Sequence, residues 1–250
     1  MFAVLKWKKA AFFLAVLIVA VFLLFSAAGK AVQTAAAPHE LPIYSVITDE
    51  KQLSLTINCA WDDSDIDQLL QILSDRNIKA TFFIVGDWCD KYPQAVQKLA
   101  DAGHELGSHS DTHPDMTRLS REQIAEELRA SKEKIESVSG KPIHLFRAPS
   151  GSYNDLVVST ARSLDWEVIQ WSNDSIDWKD PPVEEMTQRV LKKAQPGDIL
   201  LFHAGKKNTP AALEIILDDL QAQGYQFEPV GSLIYPEPYS IDHAGKQIKK

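Results

Sequence analysis

The chain has 250 residues, 45% of them hydrophobic, a balance that lets one main domain bury a substantial core. Its formal charge of −8 understates the acidity of most of it: residues 1–39 hold four basic and no acidic residues, so the remainder carries 22 basic against 34 acidic residues, a formal −12. That acidity excludes nucleic acid or an anionic membrane held by general electrostatics and leaves neutral glycans open, while two cysteines, Cys59 and Cys89, exclude a disulfide-built scaffold and permit at most one bridge.

Lys6, Lys8 and Lys9 precede an uncharged apolar stretch at 10–28. At about 1.5 Å rise per residue this stretch reaches roughly 28 Å as a helix, close to the hydrocarbon thickness of a bilayer. It is expected to be a single-pass membrane anchor, with residues 1–9 cytoplasmic and the domain outside. Small residues at 26–28 and 35–37 keep a cleaved signal, and hence secretion, as the alternative. Residues 29–48 read as an Ala-rich spacer.

From residue 53 the rhythm changes. The pattern predicts a strand at 53–59, a helix at 65–77 from Ile66, Leu69, Leu70 and Leu73, and a strand at 80–85. A helix follows Tyr92-Pro93, then a strand at 104–108 and a long helix at 120–137, opened by Ser120 and Gln123 in capping-box spacing. Strands at 145–146, 167–171, 199–202 and 226–230 alternate with helices near 155–164, 184–194 and 210–223. This order predicts a parallel α/β sheet or barrel over 49–236. Residues 237–250 read as a loose tail.

Polar residues collect at the ends of the predicted strands, where parallel β/α folds gather their chemistry. The sharpest group is Gly107-Ser108-His109-Ser110-Asp111-Thr112-His113-Pro114, with two imidazoles four residues apart in a loop. Paired nitrogen ligands suit a divalent transition metal, although surface or core histidines would fit the same spacing. Later strand ends carry Arg147-Ala148-Pro149-Ser150-Gly151-Ser152-Tyr153, Asp174-Ser175-Ile176-Asp177-Trp178 and Leu201-Phe202-His203.

In this order over about 49–236, the four segments resemble four of the five motifs of the NodB-homology polysaccharide deacetylases, carbohydrate esterase family 4. The resemblance implies a distorted (β/α) barrel of about seven parallel strands with a groove at their C-terminal ends. It also implies removal of N-acetyl groups from peptidoglycan or a chitin-like glycan, with the N-acetylglucosamine or N-acetylmuramic acid of peptidoglycan favoured. A divalent metal, zinc or else cobalt, would be held by His109, His113 and an acidic residue; no protein partner is implied.

The same resemblance gives His203 the role of general acid with Asp174 supporting its charge, and makes the Tyr153 N–H an oxyanion donor. Arg147 would pair with a base carboxylate. Trp61, Trp178 and Pro149 are candidates to face substrate, and Trp88 and Tyr153 could also stack on sugar rings.

The first motif departs from the family's Thr-Phe-Asp-Asp-Gly. Here Thr56-Ile57-Asn58-Cys59-Ala60-Trp61 is similar to a clostridial or bacillar subgroup with Phe-Asp-Cys-Ala-Trp, and Asn58 stands in the place of the base. With Cys59 at the usual carboxylate position, the third ligand is expected to be Asp65, then Asp63. Asp65 could equally cap the following helix, and Cys59 could itself ligate. The expected activity is that of a metal-dependent deacetylase; the alternatives are a glycan-binding pseudoenzyme of the same fold, because of Asn58, and a different metal-dependent hydrolase.

Overall fold

Leu53, Leu55, Ile57 and Cys59 alternate with Ser54, Thr56 and Asn58, so an extended chain sends the two sets to opposite faces. Both sets are buried, as in a parallel strand covered on both sides. The computed structural model describes residues 40–250 and places this stretch, β2 (Gln52–Cys59), in the interior of the sheet. β1 (Ser45–Val46) precedes it. The expected membrane segment at 10–28 lies outside the described residues, and among those described no helix is long and apolar enough to cross a membrane.

The sheet also contains β3 (Thr81–Ile84), β4 (Glu105–Ser108), β5 (Leu145–Phe146), β6 (Glu167–Val168), β7 (Asn173–Asp174) and β8 (Ile199–His203). Seven strands run parallel in the order β6-β5-β4-β3-β2-β8-β7, and the short β9 (Gln226–Phe227) adds to the start of β2. This half-barrel bears out the sevenfold parallel expectation. Alternation along the strands sorts two cores: Phe82, Ile84, Phe146 and Leu200 pack outward under the helices, whereas Phe83, Leu145, Ile169 and Ile199 pack together in a second cluster.

The outer layer comprises α1 (Ile66–Asp75), α2 (Gly86–Lys91), α3 (Pro93–Asp101), α4 (Arg121–Ser139), α5 (Asp155–Arg162), α6 (Val183–Lys193) and α7 (Thr209–Ala222), whereas Val230 and Leu233 of the short α8 (Val230–Leu233) pack into the second cluster. α4 starts with the expected capping box, Ser120 Oγ accepting from Gln123 N while the Gln123 side chain accepts from Ser120 N. It stops at Gly140, whose φ of 62° is the left-handed conformation that a glycine adopts without strain. The six-residue α2 escaped the sequence pattern because its Gly86, Asp87 and Asp90 break helical periodicity.

Two boundaries differ from expectation. The tail is not loose: β10 (Tyr239–Ile241) and β11 (Lys246–Lys249) form an antiparallel pair, and β11 runs parallel to β1. Nor are residues 40–48 a spacer throughout. Ile43 bridges Ile169, and Val46 N donates to Gly197 O, so this segment spans the seam between β6 and β8. Gln247 explains the tail's order: fully buried, its amide bonds both the N–H and the carbonyl of Tyr235.

Candidate active site

The parallel register sets the C-terminal ends of β2, β4, β5, β7 and β8 side by side, with Asn58 directly opposite His203. A cavity of about 460 Å³ opens there, walled by Asn58, Trp61, His109, His113, Trp171 and His203 among others. Trp178 and Asp174 also line it, as do Ser150 and Gly151 from the turn after Arg147. The structure thus brings Asn58, Trp61, His109, His113, Asp174, Trp178 and His203 to one site.

Arg147 lies directly behind the cavity, fully buried. Its Nη1 donates to Thr56 Oγ1 and Asn58 Oδ1, both at 2.9 Å, and Nη2 donates to Gln170 O at 2.9 Å. The guanidinium stacks 4.1 Å from the Phe83 ring centre. Burial pulls it down to about 9, which still leaves it charged at neutral pH. A buried cation of this kind calls for a carboxylate, and position 58 answers with a neutral amide.

A guanidinium only donates, so the Asn58 carbonyl must face Arg147 and its NH2 must face the other way, toward His109 Nε2 at 3.3 Å. His109 Nδ1 is 2.8 Å from Arg147 O, and since a carbonyl only accepts, that nitrogen carries the proton. The Nε2 lone pair therefore accepts from Asn58. Burial holds the His109 imidazole well below its usual range, with His113 nearby adding to the effect, so the ring is neutral; burial lowers His113 as well.

The His113 ring centre lies 5.0 Å from that of His109. The intervening loop is strained: Ser110 and His113 adopt φ of 68° and 59°, a conformation costing non-glycine residues on the order of 1–3 kcal/mol each. His113 N recovers a bond to Ser110 Oγ, and Gly86 N donates to Ser110 O.

His203 is paired not with Asp174 but with Asp177, a correction to the sequence reading. The fully buried Asp177 accepts from His203 Nδ1 at 2.6 Å, from His203 N at 2.7 Å and from Thr209 Oγ1 at 2.8 Å. Nδ1 is thereby occupied and Nε2 is the nitrogen left for the cavity. Asp174 instead accepts from Trp171 Nε1 and Ile176 N, fixing Trp171 in the cavity wall. Two acids three residues apart at one strand end look alike in sequence, and only the turn Asp177–Lys179 decides which one meets the histidine.

Other candidates stand elsewhere. Pro149 is buried and is not among the cavity-lining residues, although Ser150 and Gly151 beside it are. Tyr153 is half-buried, its hydroxyl accepting from Tyr44 Oη at 2.9 Å, and is not among the cavity-lining residues. Trp88 is buried against Tyr92. Both cysteines are free and buried, and burial raises the Cys59 thiol well above its usual range.

Asp65 does not join the histidines. Its Oδ1 accepts from Gly205 N at 2.8 Å, its buried Oδ2 has no hydrogen-bond partner, and it makes no side-chain cap to α1. Asp63 does not line the cavity. Among the described residues, no three His, Cys, Asp or Glu side chains converge as a metal site would require. Two imidazoles, one already accepting from an amide, do not fit the three-ligand set that the family resemblance implied.

The polysaccharide deacetylase family profile matches residues 45–169. The chain is 34% identical over 193 residues to the uncharacterized protein YlxY of Bacillus subtilis, covering 77% of this chain but only 60% of that one. It is also 34% identical over 196 residues to a peptidoglycan-N-acetylglucosamine deacetylase of Bacillus cereus, covering 76% of this chain and 92% of the relative. BA3943 of Bacillus anthracis, described as a CE4 family pseudoenzyme, superposes with a TM-score of 0.75 at 36% identity over 78% of this chain and 69% of its own. A mutant of BA3943, described as having restored enzymatic activity, superposes equally well. With its strand-end motifs on a seven-stranded parallel half-barrel and this profile over half its length, the chain belongs to the polysaccharide deacetylase family.

Proposed function

We propose that this chain binds N-acetylated peptidoglycan strands in the cavity as a hydrolytically impaired member of its family. The observation that carries the reading is the bonding of Asn58, whose carbonyl faces Arg147 and whose NH2 faces His109. An amide cannot take a proton from water. Asp174, the only carboxylate lining the cavity among the described residues, is engaged by Trp171 and the backbone. Loss of a general base typically costs about 10²–10⁴-fold in rate. Likeness to BA3943, itself described as a pseudoenzyme, supports the same reading.

Deacetylases of this family are generally dependent on a divalent metal, which supplies Lewis-acid polarisation of the amide when bound. Zinc is the first metal to test here, with His109 and His113, whose ring centres lie 5.0 Å apart, as its nitrogen donors. Trp61 and Trp178, each 46% exposed, offer apolar faces to sugar rings. The domain is proposed to stand outside the cytoplasm on the 10–28 segment; a reporter fused after Lys250 that is active inside the cell would refute this.

A second reading, active deacetylation, is favoured by the intact pair of His203 and Asp177, which presents a proton donor to a leaving amine. One experiment decides between the two. Purified domain is incubated with N-acetylglucosamine oligomers and added zinc, and both binding and acetate release are measured. Binding without release supports the first reading; turnover near that of a functional relative supports the second, and absence of both sinks the two together.

A further inference from the structure

We infer that Glu127, on α4 and outside the cavity, is a positioning residue that holds His113 against His109. Its carboxylate takes three hydrogen bonds from the loop between the two histidines: Asp111 N and Thr112 N donate to Oε2, each at 2.9 Å, and Thr112 Oγ1 donates to Oε1 at 2.7 Å. Seven residues on, two turns along the same helix face, Lys134 Nζ pairs with Asp111 Oδ1 at 2.8 Å and with Asp90 of α2 at 2.8 Å. The loop is thus clamped from one helix by an anion on its backbone donors and a cation on its side chain.

The clamp answers a need set by the backbone. Ser110 and His113, flanking Asp111 and Thr112, both hold positive φ without being glycine. Such conformations persist only where the surroundings over-determine them. The bonds within the loop, Ser110 N to Ser108 Oγ and His113 N to Ser110 Oγ, fix its two ends but leave the N–H groups of Asp111 and Thr112 to Glu127. Without that acceptor these donors need water, the loop relaxes toward negative φ, and the His113 ring swings away from His109. The tight seat of Gly86, where an added Cβ would stand 2.0 Å from Asp111 Oδ1, shows how little slack the clamped loop has.

The inference rests on the proposed role of His109 and His113 at the glycan site, but its first test does not. In histidine-labelled protein, Glu127→Ala should move and broaden the His113 imidazole resonances while leaving those of His203 in place. Glu127→Gln, whose amide oxygen can take both N–H groups while its NH2 meets Thr112 Oγ1, should return them to the wild-type positions.

In the Asn58→Asp background, Glu127→Ala should lower the kcat for acetate release at least about tenfold with KM within about threefold, and Glu127→Gln should keep most of it. If Glu127→Ala does not fold, Glu127→Gln and Glu127→Asp carry the comparison, the shorter side chain losing what the amide keeps. Unchanged His113 resonances in Glu127→Ala or Glu127→Asp, or Glu127→Gln as disturbed as Glu127→Ala, would overturn the inference whether or not the protein deacetylates anything.

Discussion

Asn58 Nδ2 lies 3.3 Å from His109 Nε2 while Asn58 Oδ1 lies 2.9 Å from Arg147 Nη1, so one side chain stands between the site's buried cation and its most buried imidazole. Asn58→Asp removes the donor facing His109 Nε2, leaving that lone pair free, and gives Arg147 a charged partner. Acetate release from an N-acetylated oligosaccharide should rise at least about tenfold, a conservative share of a general base's contribution. The gain should vanish in the double variant Asn58→Asp with His203→Ala. A wild type already fast and indifferent to Asn58→Asp would show that another group serves as base.

Asp177 and Asp174 should separate cleanly. Removing Asp177 leaves the His203 N–H, the His203 ring N–H and the Thr209 hydroxyl without their acceptor in a buried site, so Asp177→Ala should cost about 2–4 kcal/mol in denaturant unfolding. Asp174→Ala frees only the Trp171 and Ile176 donors at a half-buried position and should cost about 1 kcal/mol. Equal costs would show that the Asp177 network is not the stronger one.

His104 gives the fold an acid sensitivity unconnected with the site. Burial pulls its imidazole down to about 4, assisted by Lys79, and its Nδ1 accepts from Ala80 N at 3.2 Å. Between pH 6.5 and 4 the unfolded chain binds a proton that the folded chain refuses, so stability falls as pH falls through that window, by up to about 3 kcal/mol. His104→Asn keeps an acceptor for Ala80 and should remove this part of the slope. Identical pH–stability curves for the two proteins would contradict the assignment.

Gly151→Ala should damage the cavity wall. Gly151 has φ of 67°, and an added Cβ would fall 2.7 Å from Trp171 Cη2. A loss of about 1–2 kcal/mol and weaker glycan binding are expected, with Trp171 fluorescence reporting its displacement. Wild-type affinity in the variant would remove Trp171 from the binding surface.

The sequence announced those features that local chemistry alone decides. Apolar alternation located β2, helical spacing located α1, the Ser120 and Gln123 pair located the start of α4, and strand ends gathered Asn58, His109 and His203. Features that depend on distant partners stayed hidden. Gln247 and Ile43 read as tail and spacer because their burial is created by tertiary partners, Tyr235 twelve residues before Gln247 and Ile169 far along the chain from Ile43. Asp177 could not be told from Asp174, nor could Asp65 be seen to turn toward Gly205, because a carboxylate's partner is set by the closing of the sheet rather than by its neighbours in sequence.

The pairing of β1 with β11 joins residues from opposite ends of the described chain. The strand that covers Ser45 and Val46 follows every strand of the half-barrel in chain order, so this pairing can form only after those strands have been made. Contacts of such long sequence separation form late and at a high entropic cost. The amides of Ile43 and Val46 should consequently exchange with solvent long before those of Leu55 and Ile57, and a protease should enter at this seam first. The half-barrel behaves as a vessel welded along one side after it has been shaped, and ageing or heat would open it along the weld.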